Sequence, residues 1–245
     1  MITSLLLALA LGQYTPQEAQ ALFVEGNDAY YSGDLAGAKE RYQKLLQAGL
    51  GGPDVLFNLG TTHLAANELG PAVLYLERAA RLSDDDDIAA NLTLARERRV
   101  DQVVGAEALS APFTQRLAAA TDERLVAIVF LATWWLGFAL LWLTWRREPG
   151  ARVVLGLVSA ALLLVGTASG LTLVNAAHVA ATVEEAIVMP ESAKVREFPG
   201  DAAKVSFEVH AGLKVRIMET SGRFARIRLP NALEGWTEKE GLVSL

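Results

Sequence analysis

Apolar residues follow three different patterns along this chain. Up to about residue 104 they recur at three- and four-residue spacing, between 125 and 174 they run almost without interruption, and after 185 they alternate with polar ones. These are the signatures of amphipathic helices, of helices apolar all round, and of half-buried strands. Residues 125–145 contain 21 positions without a charge, roughly 31 Å of helix at ~1.5 Å per residue, against ~30 Å of bilayer hydrocarbon. The next run starts at Val153 and meets no Asp, Glu, Lys or Arg before Glu184. The pattern predicts a transmembrane helical hairpin: a first helix over 125–145, a loop over 146–152 and a second helix over 153–174.

The amphipathic region repeats itself. Gly60 follows Gly26, and Ala72 follows Ala38, each at an interval of 34 residues (60 − 26 and 72 − 38). Small residues at these positions let paired helices approach closely, and Leu56, Leu59, Leu74, Leu76 and Leu82 supply the apolar stripe. Asn91-Leu92 repeats Asn58-Leu59 on a further helix that caps the array. With Tyr42, Leu45-Leu46 and Ala79, these residues resemble a tetratricopeptide domain over 17–104, although the first repeat closes unusually with Gly49-Leu50-Gly51-Gly52-Pro53 in place of a short turn. The resemblance implies stacked helix pairs with a concave face for a peptide or a partner's helix. It places Phe23, Asn27, Tyr30 and Tyr31, then Phe57, Asn58, Thr61 and Leu64, on that groove. Asn27 and Asn58 stand where such domains often bond a ligand's backbone; equally, these amides could satisfy helix ends and turns. Phe23 occupies a position where carboxylate-clamping members carry lysine, so capture of a C-terminal carboxylate is not expected. The acidic run Asp84 to Asp87 lacks the alternation and glycine of a calcium loop. It suits the positive end of the helix that follows.

Residues 105–124 form a linker with some helix, broken at Pro112. From 185 onward, alternating segments around Ile187, Val205 to Val209, Leu213 to Ile217 and Phe224 to Leu229 predict short strands. Turn residues at Pro190, Pro199-Gly200, Gly212, Ser221-Gly222 and Pro230 separate them. The order of these strands and the pair Gly235-Trp236 resemble a bacterial SH3-like barrel over 185–245. That resemblance makes Phe224 and Trp236 its candidate surface, both being equally suited to a core. The expected fold is therefore a multidomain membrane protein: an α-helical tetratricopeptide solenoid, two transmembrane α-helices and an all-β SH3-like barrel.

Orientation follows from charge. Arg146, Arg147 and Arg152 occupy the hairpin loop, and the next cation after the second span is Lys194. The positive-inside rule puts the loop in the cytoplasm and both flanking regions outside. Residues 1–12, an apolar run ending in Ala10-Leu11-Gly12, read as a secretory signal peptide and predict the same orientation. Gly156 and Ala160, and Gly166 and Gly170, lie four apart on the second span, a pattern that allows close helix contact in lipid. They either join the two spans or dock another membrane protein.

Composition removes several function classes. The formal charge is −6 and no basic stripe occurs, which argues against nucleic acid. The chain has no cysteine and three scattered histidines, so disulfides, thiolate chemistry and a histidine-rich metal site are not expected. No nucleophile–base motif or phosphate-binding glycine loop is present. The expectation is a non-enzyme without cofactor or metal.

Taken together, repeats, hairpin and SH3-like tail in this order resemble the BatE-type proteins of bacterial aerotolerance (Bat) operons. Asn58-Leu59-Gly60, Tyr75-Leu76-Glu77-Arg78-Ala79 and Asn91-Leu92-Thr93-Leu94-Ala95-Arg96 are the most family-like stretches. The resemblance implies an inner-membrane scaffold linked to envelope stress, with both terminal domains in the periplasm and von Willebrand-type proteins and a MoxR-type ATPase as partners. A second expectation is a cell-wall protein that holds peptidoglycan through its SH3-like domain.

Overall fold

The structure, a computed structural model, describes residues 14–101 and 113–245. The expected signal peptide and residues 105–112 of the expected linker lie outside the described residues. The chain divides into two compact units, one built from residues 1–104 and 185–245, the other from 105–184.

The first unit begins with five helices: α1 (Pro16–Tyr31), α2 (Leu35–Gln47), α3 (Pro53–Ala65), α4 (Leu69–Ala80) and α5 (Asp86–Glu97). Their starts and stops are locally encoded. Thr15 and Glu18 form a capping box at α1, with proline at the first helical position. Asp34 caps α2 by accepting from the Gly37 amide at 2.9 Å. Asp85 caps α5 by accepting from the Asp87 amide at 2.8 Å, which gives the aspartate run a structural task. Gly33 (φ 86°) and Asn67 (φ 59°) turn the chain through the left-handed region at equivalent places in the two helix pairs.

The repeated small residues work as expected from their spacing. A Cβ on Gly26 would stand 2.7 Å from the Tyr42 ring, and one on Gly60 would stand 2.8 Å from Leu76 Cγ. Ala38 and Ala72 are fully buried beside them. Tyr42, Leu45, Val55 and Leu59 close the core of the first pair, and Leu56, Ala79 and Ile88 continue it toward α5.

The same unit contains a seven-stranded sheet of β1 (Glu184–Val188), β2 (Ser192–Arg196), β3 (Val205–His210), β4 (Lys214–Ser221), β5 (Phe224–Arg228), β6 (Glu234–Glu238) and β7 (Leu242–Ser244). The spatial order is β3-β2-β6-β5-β4-β1-β7, and the registered pairs are antiparallel. Val209 from one end of that order and Ala186 and Val188 from near the other share a single apolar cluster with Val195, Val215 and Ile227. The sheet thus curls around one core.

The sequence pattern treats the helical array and the strands as separate domains; the structure makes them one unit. Ile187 packs with Leu64, Val73, Leu76, Leu92 and Ala95, and Met189, Val243 and Leu245 pack against the same cluster. The physical reason lies in β1, where Ala186, Ile187 and Val188 are all fully buried. One face of the strand serves the sheet core and the other serves the helices. Gly70 lets the start of α4 come this close, since a Cβ there would meet the Met189 carbonyl oxygen at 2.8 Å.

The second unit holds α6 (Phe113–Ala119), α7 (Glu123–Thr144) and α8 (Pro149–Thr182). The helix expected over 153–174 starts earlier, where Pro149 is well suited to a first helical position, and runs on to Thr182. Stretches of 22 and 31 residues in α7 and α8 are long and apolar enough to cross a membrane, and their most apolar windows are 6% and 11% buried. A core helix of a soluble protein would hide most of that surface. Here Trp135, Leu157 and Leu164 point outward, more than two-thirds exposed.

Candidate functional site

Three helices, α1, α3 and α5, lie side by side, and polar side chains link them. The Asn27 Oδ1 on α1 accepts from the Tyr42 hydroxyl at 2.7 Å and from the Asn58 side-chain amide at 2.9 Å. Asn91 on α5 donates to Thr61 Oγ1 at 2.9 Å. Asn27, Asn58, Thr61 and Asn91 therefore form a row of half-buried polar groups across the array. The bonds of Asn27 and Asn58 run between side chains of neighbouring helices rather than to helix ends or turns. Burial pushes the Tyr42 hydroxyl up to about 12, which keeps it a neutral donor to Asn27.

The remaining predicted groove residues divide. Tyr31 is 85% exposed, at the end of α1, with its ring edge-on to Tyr30 at 5.6 Å. Phe23 packs against the Tyr42 ring at 6.1 Å. Phe57 is half-buried against α4 and α5, and Leu64 is buried in the cluster that receives Ile187. The structure thus brings Asn27, Asn58 and Thr61 together, leaves Tyr31 at the rim and commits Leu64 to the core. Asn91 completes the row, and its repeat of Asn58 is its signal in the sequence.

The polar contacts between helices and sheet are not legible in the local pattern. Glu77 on α4 is 6% exposed. It accepts from Arg96 on α5 at 2.6 Å and from Lys214 on β4 at 3.3 Å. Burial acts to raise its carboxyl, and the two cations outweigh that, holding it below the usual carboxylate range. Lys214 also pairs with Glu185 at 2.9 Å, and Glu185 pairs with Arg81 at 2.9 Å. Arg78 donates to the Ser244 carbonyl at 2.8 Å, and Asp101 accepts from both the backbone amide of His210 and its ring, at 2.6 and 2.9 Å. Nearby, buried His63 contacts Glu68, which Lys39 also holds, and its ring stacks on Tyr75 at 5.5 Å. Burial lowers the His63 imidazole, with Glu68 opposing.

On the sheet, Phe224 is buried, with the Arg223 guanidinium 5.2 Å above its ring. Trp236 is half-buried, paired along the backbone with Arg196 and Arg226. Beside β6 lies a cleft of about 620 Å³ lined by Ser192, Lys194, Arg196, Thr237, Glu238 and Glu240.

In the hairpin, Gly166 faces Trp134 and Thr133, while a Cβ on Gly170 would stand 3.1 Å from the Phe130 ring. Ser159 donates to the Gly137 carbonyl at 2.8 Å, so these residues join the two long helices to each other. Gly156 faces open space and Ala160 is exposed. Arg146, Arg147 and Arg152 cluster at the turn, where Arg146 sits 4.4 Å above the Trp142 ring. Among the described residues no group of three or more His, Cys, Asp or Glu side chains is arranged to hold a metal ion. No protein-family model matches the sequence, and no curated protein matches it significantly.

Proposed function

We propose that this chain is a non-catalytic membrane adaptor, in which a tetratricopeptide-like array and an SH3-like barrel form one rigid binding unit outside the cytoplasm, anchored by a two-helix hairpin. The row from Asn27 through Asn58 and Thr61 to Asn91 carries the reading. It sets hydrogen-bonding amides and a hydroxyl along adjacent helices, the chemistry needed to hold an extended peptide or a partner's helix. The anchor is supported by the bare apolar surfaces of α7 and α8. The shared compartment is supported by the first unit itself. Its two halves flank the hairpin in sequence and are packed together, so a chain that crosses a bilayer between them must cross an even number of times. Inner-membrane placement, periplasmic exposure and partners of von Willebrand type remain part of this BatE-like proposal.

A photo-crosslinking residue at Tyr31, in native membranes, tests it. The expected result is a defined protein adduct that the double substitution Asn27→Asp/Asn58→Asp abolishes while a probe at Phe198 gives a different pattern. Recovery of the full chain alone under every condition overturns the adaptor reading.

The cleft beside β6 favours a second reading, a peptidoglycan contact, because Lys194, Arg196 and Glu238 offer charged groups around an open concavity. Cosedimentation of the detergent-solubilised full chain with purified sacculi decides this. An isolated 185–245 fragment is unsuitable, since its β1 is half-built on the helices.

A further inference from the structure

We propose that the turn joining α7 and α8 is a docking surface for anionic phospholipid headgroups. The inference rests on the membrane-hairpin reading and adds a ligand class to it. Three guanidiniums, of Arg146, Arg147 and Arg152, stand within seven residues against one carboxylate, Glu148. Among the described residues none of the three is paired with a carboxylate, although the chain as a whole is acidic. Arg146 stacks on Trp142 at 4.4 Å, and Arg152 donates to the Arg147 carbonyl at 3.1 Å. These contacts fix guanidinium planes yet neutralise no charge, so most of their N–H groups are left for an outside acceptor.

The surroundings select that acceptor. Trp142 and Trp145 are 62% and 84% exposed on the last turn of α7 and just after it, and such rings settle at headgroup depth. The cations therefore lie where lipid phosphates lie. A guanidinium takes a phosphate through two parallel N–H bonds, and juxtamembrane cations are drawn to acidic lipid surfaces. A Cβ on Gly150 would meet nothing within 4 Å, so the turn stays open to an approaching headgroup.

The full chain, embedded in nanodiscs of phosphatidylcholine with a minority of phosphatidylglycerol, tests this by native mass spectrometry of the lipids it retains. Phosphatidylglycerol should be retained over phosphatidylcholine on the order of tenfold. Arg146→Gln/Arg147→Gln/Arg152→Gln should abolish the preference, and the corresponding triple lysine variant, which keeps the charge, should retain part of it. Excess glycerol phosphate should fail to displace the lipid; displacement would assign the site to soluble phosphates and overturn the proposal. Equal retention of the two lipids by the wild-type chain, or an unchanged preference in the glutamine variant, overturns it as well. An alkaline carbonate wash separates the two levels. Release of the chain from membranes sinks the hairpin reading and this inference together, whereas a chain that stays embedded without lipid preference sinks this inference alone.

Discussion

Glu77 on α4 and Lys214 on β4 are 137 positions apart in sequence and 3.3 Å apart in space, with the carboxylate buried between Lys214 and Arg96. This pair spans the hairpin insertion, so it ties residues before the hairpin to residues after it. Only the carboxylate is buried: without it Lys214 keeps Glu185 as a partner and Arg96 is half-exposed, so the cost of its removal is the lost ion pairs and the emptied buried site.

Replacing Glu77 with alanine is therefore expected to destabilise the first unit by about 1–3 kcal/mol, read by chemical denaturation of the full chain in detergent. The pH profile adds a second readout. Because its folded carboxyl is held below the usual range, Glu77 contributes stability in full above ~4.3, the unfolded value. That contribution is lost as pH falls through the folded value. Glu77→Gln should remove this acid-sensitive component; an identical profile in wild type and variant would mean that the pair contributes nothing.

His63 gives a different window. Its buried imidazole is held below the ordinary histidine value and is neutral in the folded state. The linked stability is present above ~6.5 and is lost as pH falls toward 5, since the unfolded chain takes up a proton first. Wild type should thus lose more stability between pH 7 and 5 than His63→Phe, which keeps a ring against Tyr75. Equal losses would show that Glu68 compensates the buried charge completely.

How much of this is legible in the sequence follows from the kind of signal each feature leaves. Gly26 and Gly60, Ala38 and Ala72, and the capped turns at Asp34 and Asp85 act within one or two helices, so spacing reveals them. The union of array and sheet does not show in this way, because it depends on contacts more than 90 residues apart. One clue stands in the open. Ala186-Ile187-Val188-Met189, grouped with the alternating segments by the sequence pattern, is a continuous apolar run, the mark of a strand buried on both faces. Glu77, an acid within the apolar Leu74–Leu76–Ala79 stripe of α4, is a second. The tetratricopeptide resemblance puts Leu64 on the groove because groove and core positions share the same apolar chemistry, and its partner Ile187 is invisible to local pattern.

The hairpin glycines separate by environment. A leucine at Gly166 would run into Trp134, and one at Gly170 into Phe130, whereas Gly156 has open space. Gly166→Leu/Gly170→Leu should weaken the contact between α7 and α8, seen as faster proteolysis at the 146–152 turn and a lowered melting temperature in detergent. Gly156→Leu should behave as wild type in both measurements. A destabilising Gly156→Leu with a silent double variant would reverse the assignment of the packed face.

The contacts across the hairpin make a topological prediction that is independent of the positive-inside rule. Asp101 accepts from His210, and Arg78 donates to the Ser244 carbonyl, so residues 14–101 and 185–245 must share one side of any membrane the chain spans. The chain contains no cysteine, which allows single cysteines to report position without background. Cysteines at Tyr31 and Phe198, both largely exposed, should react with a membrane-impermeant maleimide from the same face. A cysteine at Gly150 should be protected there and react once the bilayer is opened. Labelling of Tyr31→Cys and Phe198→Cys from opposite faces is incompatible with the first unit as a folded body and would remove the basis for the adaptor reading. Labelling of all three from one face would instead leave the first unit intact and show that the two apolar helices do not cross.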